Sequence, residues 1–149
     1  MAKILVVDDE KDALTAIEAV LSSEGHETIL VEDGIRALES VGNHTPDVII
    51  CDIEMPKLKG FDVLDELRKD PETSKIPIIF LTGRTDIAAL IKSMELNVND
   101  FLTKPFAAQD LIKAVNIQLK RLSQQREKDR RLNARLQKLD DKFRAAIHR

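Results

Sequence analysis

The chain is 149 residues long and 43% hydrophobic, enough for one domain with a buried core and an appendage. Five Phe without Trp or Tyr make that core aliphatic and exclude an aromatic platform for stacked bases, and the single cysteine, Cys51, excludes a disulfide framework. The net charge of −3 divides unevenly: up to Gln109 there are 11 Lys+Arg against 21 Asp+Glu, and from Asp110 onward 12 against 5, so an acidic body carries a basic tail.

In chain order, Lys3 to Val7 reads as a strand that runs into Asp8-Asp9-Glu10. A helix from Lys11 to Ser23 follows, with Leu14, Ile17 and Leu21 on one face and Gly25 as its C-terminal cap. Glu27 to Val31 is a second strand. Asp33 caps a short helix carrying Ala37, Leu38 and Val41, which ends near Gly42-Asn43. Asp47 to Cys51 is a third strand, uncharged from Val48 until it meets Asp52, as a strand buried on both faces should be. The loop from Glu54 to Gly60 leads to a helix with Phe61, Leu64 and Leu67 inward, stopped by Pro71. Ile76 to Leu81 is the fourth strand, with Thr82 at its end. A fourth helix, Thr85 to Glu95, turns Ile87, Leu90, Ile91 and Met94 inward, and Asp100 to Thr103 is a short fifth strand closed by Lys104-Pro105. The five alternations predict a doubly wound α/β domain with a parallel sheet in the flavodoxin-like order 2-1-3-4-5.

That order gathers Asp8, Asp9, Asp52, Thr82 and Lys104 at the C-terminal edge of the sheet, where open α/β sheets place their ligands. Clustered carboxylates repel unless they share a cation, and their hard oxygens suit Mg²⁺. A hydroxyl and an ammonium complement the oxygens of a phosphoryl group, and Asp52 is the natural nucleophile for one. Singly, each residue has a plainer reading as a turn, a helix cap or a surface charge.

The motifs Val6-Val7-Asp8-Asp9, Cys51-Asp52-Ile53-Glu54-Met55-Pro56, Leu81-Thr82-Gly83 and Thr103-Lys104-Pro105-Phe106 closely resemble those of receiver domains of the bacterial two-component response-regulator family, from Ala2 to about Gln118. The resemblance implies that Asp52 is the phosphoacceptor, that Asp9, Asp52 and the backbone carbonyl of Glu54 hold Mg²⁺, and that Asp8 acts through water. It implies that Thr82 is the switch hydroxyl, that Lys104 binds the phosphoryl group, and that the bond before Pro105 is cis. Phe101 matches the switch aromatic, as Phe rather than the commoner Tyr, and Gly83 stands where many relatives carry Ala. Glu54 and Arg84 sit where residues influence how readily water attacks the phosphoryl group. A histidine kinase or histidine phosphotransfer protein is the implied donor, and the face of the fourth helix, fifth strand and fifth helix the implied relay.

From Phe106 to Arg149 neither Gly nor Pro occurs, so one long helix is expected. Leu111, Val115, Gln118, Leu122, Gln125, Asp129, Leu132, Leu136, Leu139, Phe143 and Ala146 follow spacings of four and three, the a/d pattern of a coiled coil with a polar middle. The expected organisation is a receiver domain over 1–118 and a helical extension over 119–149 that forms a parallel homodimer. Fold-back or disorder of the tail are the alternatives. The basic charge comes without a nucleic-acid recognition motif, so no direct nucleic-acid binding is expected. No signal peptide opens the chain and no apolar run would span a bilayer, so a cytoplasmic protein is expected, apart from membranes. The tail ends without a stop signal, so a longer regulator whose output domain lies beyond these residues is expected, with a stand-alone receiver carrying a dimerising stalk as the alternative. Cys51 reads as a core residue, and His26, His44 and His148 as surface residues. An aspartate-nucleophile phosphohydrolase is the rival enzyme reading, but its second Asp two residues after the nucleophile is here Glu54.

Overall fold

The computed structural model describes residues 1–83 and 100–148. Five parallel strands, β1 (Lys3–Val7), β2 (Glu27–Val31), β3 (Val48–Asp52), β4 (Ile78–Thr82) and β5 (Asp100–Thr103), form one sheet in the order β2-β1-β3-β4-β5. The helices are α1 (Lys11–Ser23), α2 (Gly34–His44), α3 (Gly60–Lys69) and α4 (Ala108–Ile147). The predicted helix from Thr85 to Glu95, with Ile87, Leu90, Ile91 and Met94, lies outside the described residues, as does Arg84.

Strand alternation builds the two layers. Leu5, Val7, Ile49, Cys51, Ile78 and Phe80 point to one side, where α2 and α3 cover them with Ala37, Val41, Leu64 and Leu67. Ile4, Val6, Val48, Ile50, Ile79 and Leu81 point to the other, against Leu14, Ile17 and Leu21 of α1 and Leu111, Ala114 and Val115 of α4. All of β3 is buried. Successive residues of a strand face opposite sides, so a strand covered on both must be apolar throughout, and only its last residue, Asp52, escapes that demand.

Several boundaries move from their expected places. Strand β4 begins at Ile78 because Pro77 has no N–H to give the ladder; Pro77 contributes only its carbonyl, which accepts the Ile49 amide at 2.9 Å. Strand β3 begins at Val48, since Asp47 instead clips the start of β1: its carboxylate accepts the Lys3 amide at 2.9 Å. Helix α2 runs past Gly42-Asn43 to His44 and ends on Thr45 in the left-handed region, φ 47°. His26 is half-buried rather than on the surface, its Nδ1 accepting the Ala2 amide at 3.3 Å. Elsewhere the local chemistry holds. Asp33 accepts the Arg36 amide at 2.8 Å at the start of α2, and Gly25, φ 84°, closes α1 in a conformation that favours glycine.

The chain divides into two compact units, Met1–Leu119 and Lys120–Arg149. In the first, Gln118 is buried, so this position belongs to the domain core and not to the polar middle of a coiled coil. In the second, Leu132, Leu136, Leu139 and Phe143 are exposed. Among the described residues no helix is long and apolar enough to cross a membrane.

Candidate functional site

The site lies where β1, β3, β4 and β5 end together. Register brings Val7 beside Cys51, Asp52 beside Leu81 and Thr82 beside Thr103, so the residues that follow each strand share one edge. Asp8 is fully buried; its Oδ1 accepts the Glu10 amide at 2.9 Å, a turn that swings Asp9 and Glu10 outward. Asp52 is 5% exposed, and its Oδ1 accepts the Glu54 amide at 3.2 Å. The backbone N–H of Lys104 donates to the Thr82 carbonyl at 2.6 Å, and the Lys104-Pro105 bond is cis.

Lys104 ties the strands together chemically. Its ammonium donates to Asp8 Oδ2 at 2.7 Å and to Asp52 Oδ2 at 3.3 Å. Burial raises the Asp52 carboxyl above its ordinary value, and the charge of Asp8 adds to that; Lys104 and the Glu54 amide only partly oppose them. For Lys104 burial works against the charge, but the hydrogen bond to Asp8 and the charges of Asp52 and Asp8 outweigh it and raise its value. Burial, then the charges of Asp52 and Asp8, push the Cys51 thiol far up and leave it un-ionised.

Of the other expected residues, Thr82 is half-buried at the strand end and the Glu54 side chain is exposed. Phe101 packs against the core, its ring centroid 6.3 Å from that of Phe80. Two contributors were not anticipated. Glu10 joins Asp8 and Asp9 in a group whose carboxylate oxygens lie within 4.8 Å of one another. Gly60 lies so close under the site that a Cβ there would stand 2.6 Å from the Asp52 carbonyl oxygen and 3.0 Å from Phe80. The signal for Glu10 was adjacency to Asp8-Asp9. That for Gly60 was a glycine at a helix start, where a capping side chain is usual.

These residues fit a divalent cation. Asp8, Asp9 and Glu10 bring carboxylate oxygens within 4.8 Å of one another, Asp8 and Asp52 share the Lys104 ammonium, and carboxylate oxygens are hard donors of the kind Mg²⁺ takes. Asp52 stands outside the three that cluster, its Oδ2 on the Lys104 ammonium at 3.3 Å.

Residues 4–116 match the response regulator receiver domain family. The chain belongs to it. This receiver domain is 40% identical over 119 residues to Probable transcriptional regulator ycf27 of Guillardia theta, a stretch covering 80% of this chain and 46% of that protein. It is 35% identical over 119 residues to DNA-binding response regulator MtrA of Mycobacterium tuberculosis, covering 80% of this chain and 51% of that one. The chain thus spans about half the length of these curated relatives. A crystal structure of a response regulator receiver domain protein from Clostridium thermocellum superposes with a TM-score of 0.76 at 36% identity, over 81% of this chain and 96% of that one. The family's members are receiver domains of response regulators, signalling proteins of two-component systems.

Proposed function

We propose that Asp52 accepts a phosphoryl group from a histidine kinase or histidine phosphotransfer protein. A carboxylate oxygen of Asp52 attacks the phosphorus, the P–N bond to the donor imidazole breaks, and the imidazole nitrogen keeps the electron pair and takes up a proton. The observation that carries this reading is the single ammonium of Lys104 held between Asp8 and Asp52. It favours the ionised nucleophile against burial and the charge of Asp8 and, once the transfer has occurred, is placed to pair with the new phosphoryl oxygens. Mg²⁺, when bound by Asp9, Asp52 and the Glu54 carbonyl with Asp8 acting through water, supplies further neutralisation of those oxygens. Thr82, half-buried at the adjacent strand end, offers the hydroxyl that turns to the phosphoryl group, and Phe101 responds beside it.

The change passes through the face that the resemblance implies, of the predicted fourth helix, β5 and the start of α4, and through the C-terminal helix, to a second copy of the chain or to an output domain. Residues 1–118 act as the receiver and 119–149 as its stalk. Support for an output partner comes from relatives of which the matched residues make up only about half, one of them named a DNA-binding response regulator. Acetyl phosphate with Mg²⁺ should label the protein, and Asp52→Asn should abolish the label; undiminished labelling of that variant would overturn the assignment. Glu54 and Arg84, two residues beyond Asp52 and Thr82 in sequence, lengthen the phosphorylated lifetime. In the same assay Arg84→Ala should lose label faster than wild type, and equal decay removes this part of the reading.

A further inference from the structure

The second unit carries an apolar stripe that nothing in its own helix covers. Leu132, Leu136, Leu139, Phe143 and Ile147 are each more than half exposed, and among the described residues only Met1 and Ile35 are comparably bare. With Leu136 and Phe143 at a positions and Leu132 and Leu139 at d, Arg135 and Lys142 occupy g, while Asn133, Asp140 and Ile147 occupy e. These flanking columns decide the occupant.

In an antiparallel pair g residues face g and e residues face e. Arg135 would then meet the partner's Lys142 at two symmetric places, and Asp140 would meet its own copy. In a parallel, in-register pair g faces e of the following heptad. Arg135 then meets the partner's Asp140 twice, and Lys142 lays its aliphatic stem along the partner's Ile147. Asp140 holds Arg144 of its own helix through Oδ2 at 3.1 Å, on an exposed side chain that can accept a second cation. Upstream, Gln125 and Asp129 bond to each other within the helix at 3.0 Å. Two Asp129 carboxylates facing each other at an a position would repel, so the apolar seam begins at Leu132.

Resting on the pairing role given to the stalk above, we propose that the stripe binds a second copy of this chain, parallel and in register, over residues 132–147. The charge columns set that orientation. Both helices then enter the pair from their N-terminal ends. The seam is little more than two heptads, so the association is weak and sensitive to its flanks.

Sedimentation equilibrium on the full chain tests this with surface substitutions that leave the apolar stripe intact. Wild type should show a reversible monomer–dimer equilibrium. Arg135→Glu should weaken it about tenfold, because two attractive contacts become repulsive. Adding Asp140→Lys to that variant should restore affinity to within about threefold of wild type. If Arg135→Glu instead tightens the dimer, the helices run antiparallel and the proposal falls while the pairing role survives. If wild type stays monomeric at every concentration, pairing with a second copy falls as well, and an acidic helix from another protein becomes the occupant to seek. Neither result touches the assignment of Asp52, which the labelling assay decides.

Discussion

In the first unit a fully buried Asp8 meets Lys104, 96 residues away, at 2.7 Å; in the second, Glu127 meets Arg131, four residues away, at 3.1 Å with both side chains exposed. The first pair exists because four strands end together, and neither residue has a local reason to find the other. The second follows from helical periodicity and would form in an isolated peptide. Ion pairs are therefore no common currency in this chain. Where the fold imposes the contact, the charges bias one another and the chemistry of Asp52; where the helix imposes it, they do little beyond keeping the stalk soluble.

The difference should show most strongly where backbone packing supports the buried site. Gly60→Ala would force a methyl to within 2.6 Å of the Asp52 carbonyl, an atom that cannot yield without moving the strand end. We expect a loss of about 2 kcal/mol in urea unfolding together with slower labelling by acetyl phosphate. Gly42 is the counterpart, a helical glycine with open space around the same position; its replacement by Ala should stabilise by up to about 1 kcal/mol. Equal and small effects at the two sites would mean that the strand end has slack.

A smaller effect, of opposite sign, is expected from removing charge. Burial and the Asp8 charge raise the Asp52 carboxyl in the folded protein, so ionised Asp52 costs stability. That cost is fully present above the raised folded value, fades as pH falls through it, and is gone below the ordinary 3.8. In EDTA at pH 7, Asp52→Asn should therefore melt higher than wild type, by a few degrees, and the gap should close on acidification. A variant that melts lower at pH 7 would mean that the Lys104 contact outweighs burial and repulsion.

The parts legible in the sequence were those written as local pattern. Val48 to Asp52 declares a two-sided strand with a charged end, and the parallel order then follows from the handedness of crossovers, which is why Asp8, Asp52 and Lys104 were grouped correctly from residues far apart. Less legible were features set by three-dimensional neighbours. Thr45 adopts a left-handed cap that its side chain does not favour, and Pro77 shortens a strand that its apolar surroundings seemed to extend. Gln118 fits a polar heptad layer in sequence, yet it is buried with Leu111, Ala114 and Val115, because the first turns of α4 serve the sheet. The heptad spacing was continuous, but its partner was not, and spacing alone cannot say what a helix faces.

The faintest expected effect lies on the stalk, and it is the one that separates the two kinds of pairing most cleanly. Arg131 bonds Glu127 at 3.1 Å with its side chain 77% exposed, and it occupies a c position, away from the seam. Arg131→Ala removes that contact, but Glu127 retains Arg130 at 3.0 Å, and alanine is the better helix former. The two changes nearly cancel. Urea unfolding should shift by less than about 0.5 kcal/mol, with no change in helical circular dichroism and none in dimer affinity. A larger loss would show that the stalk's surface charges form a cooperative network, and the contrast with Lys104 would narrow to one of degree.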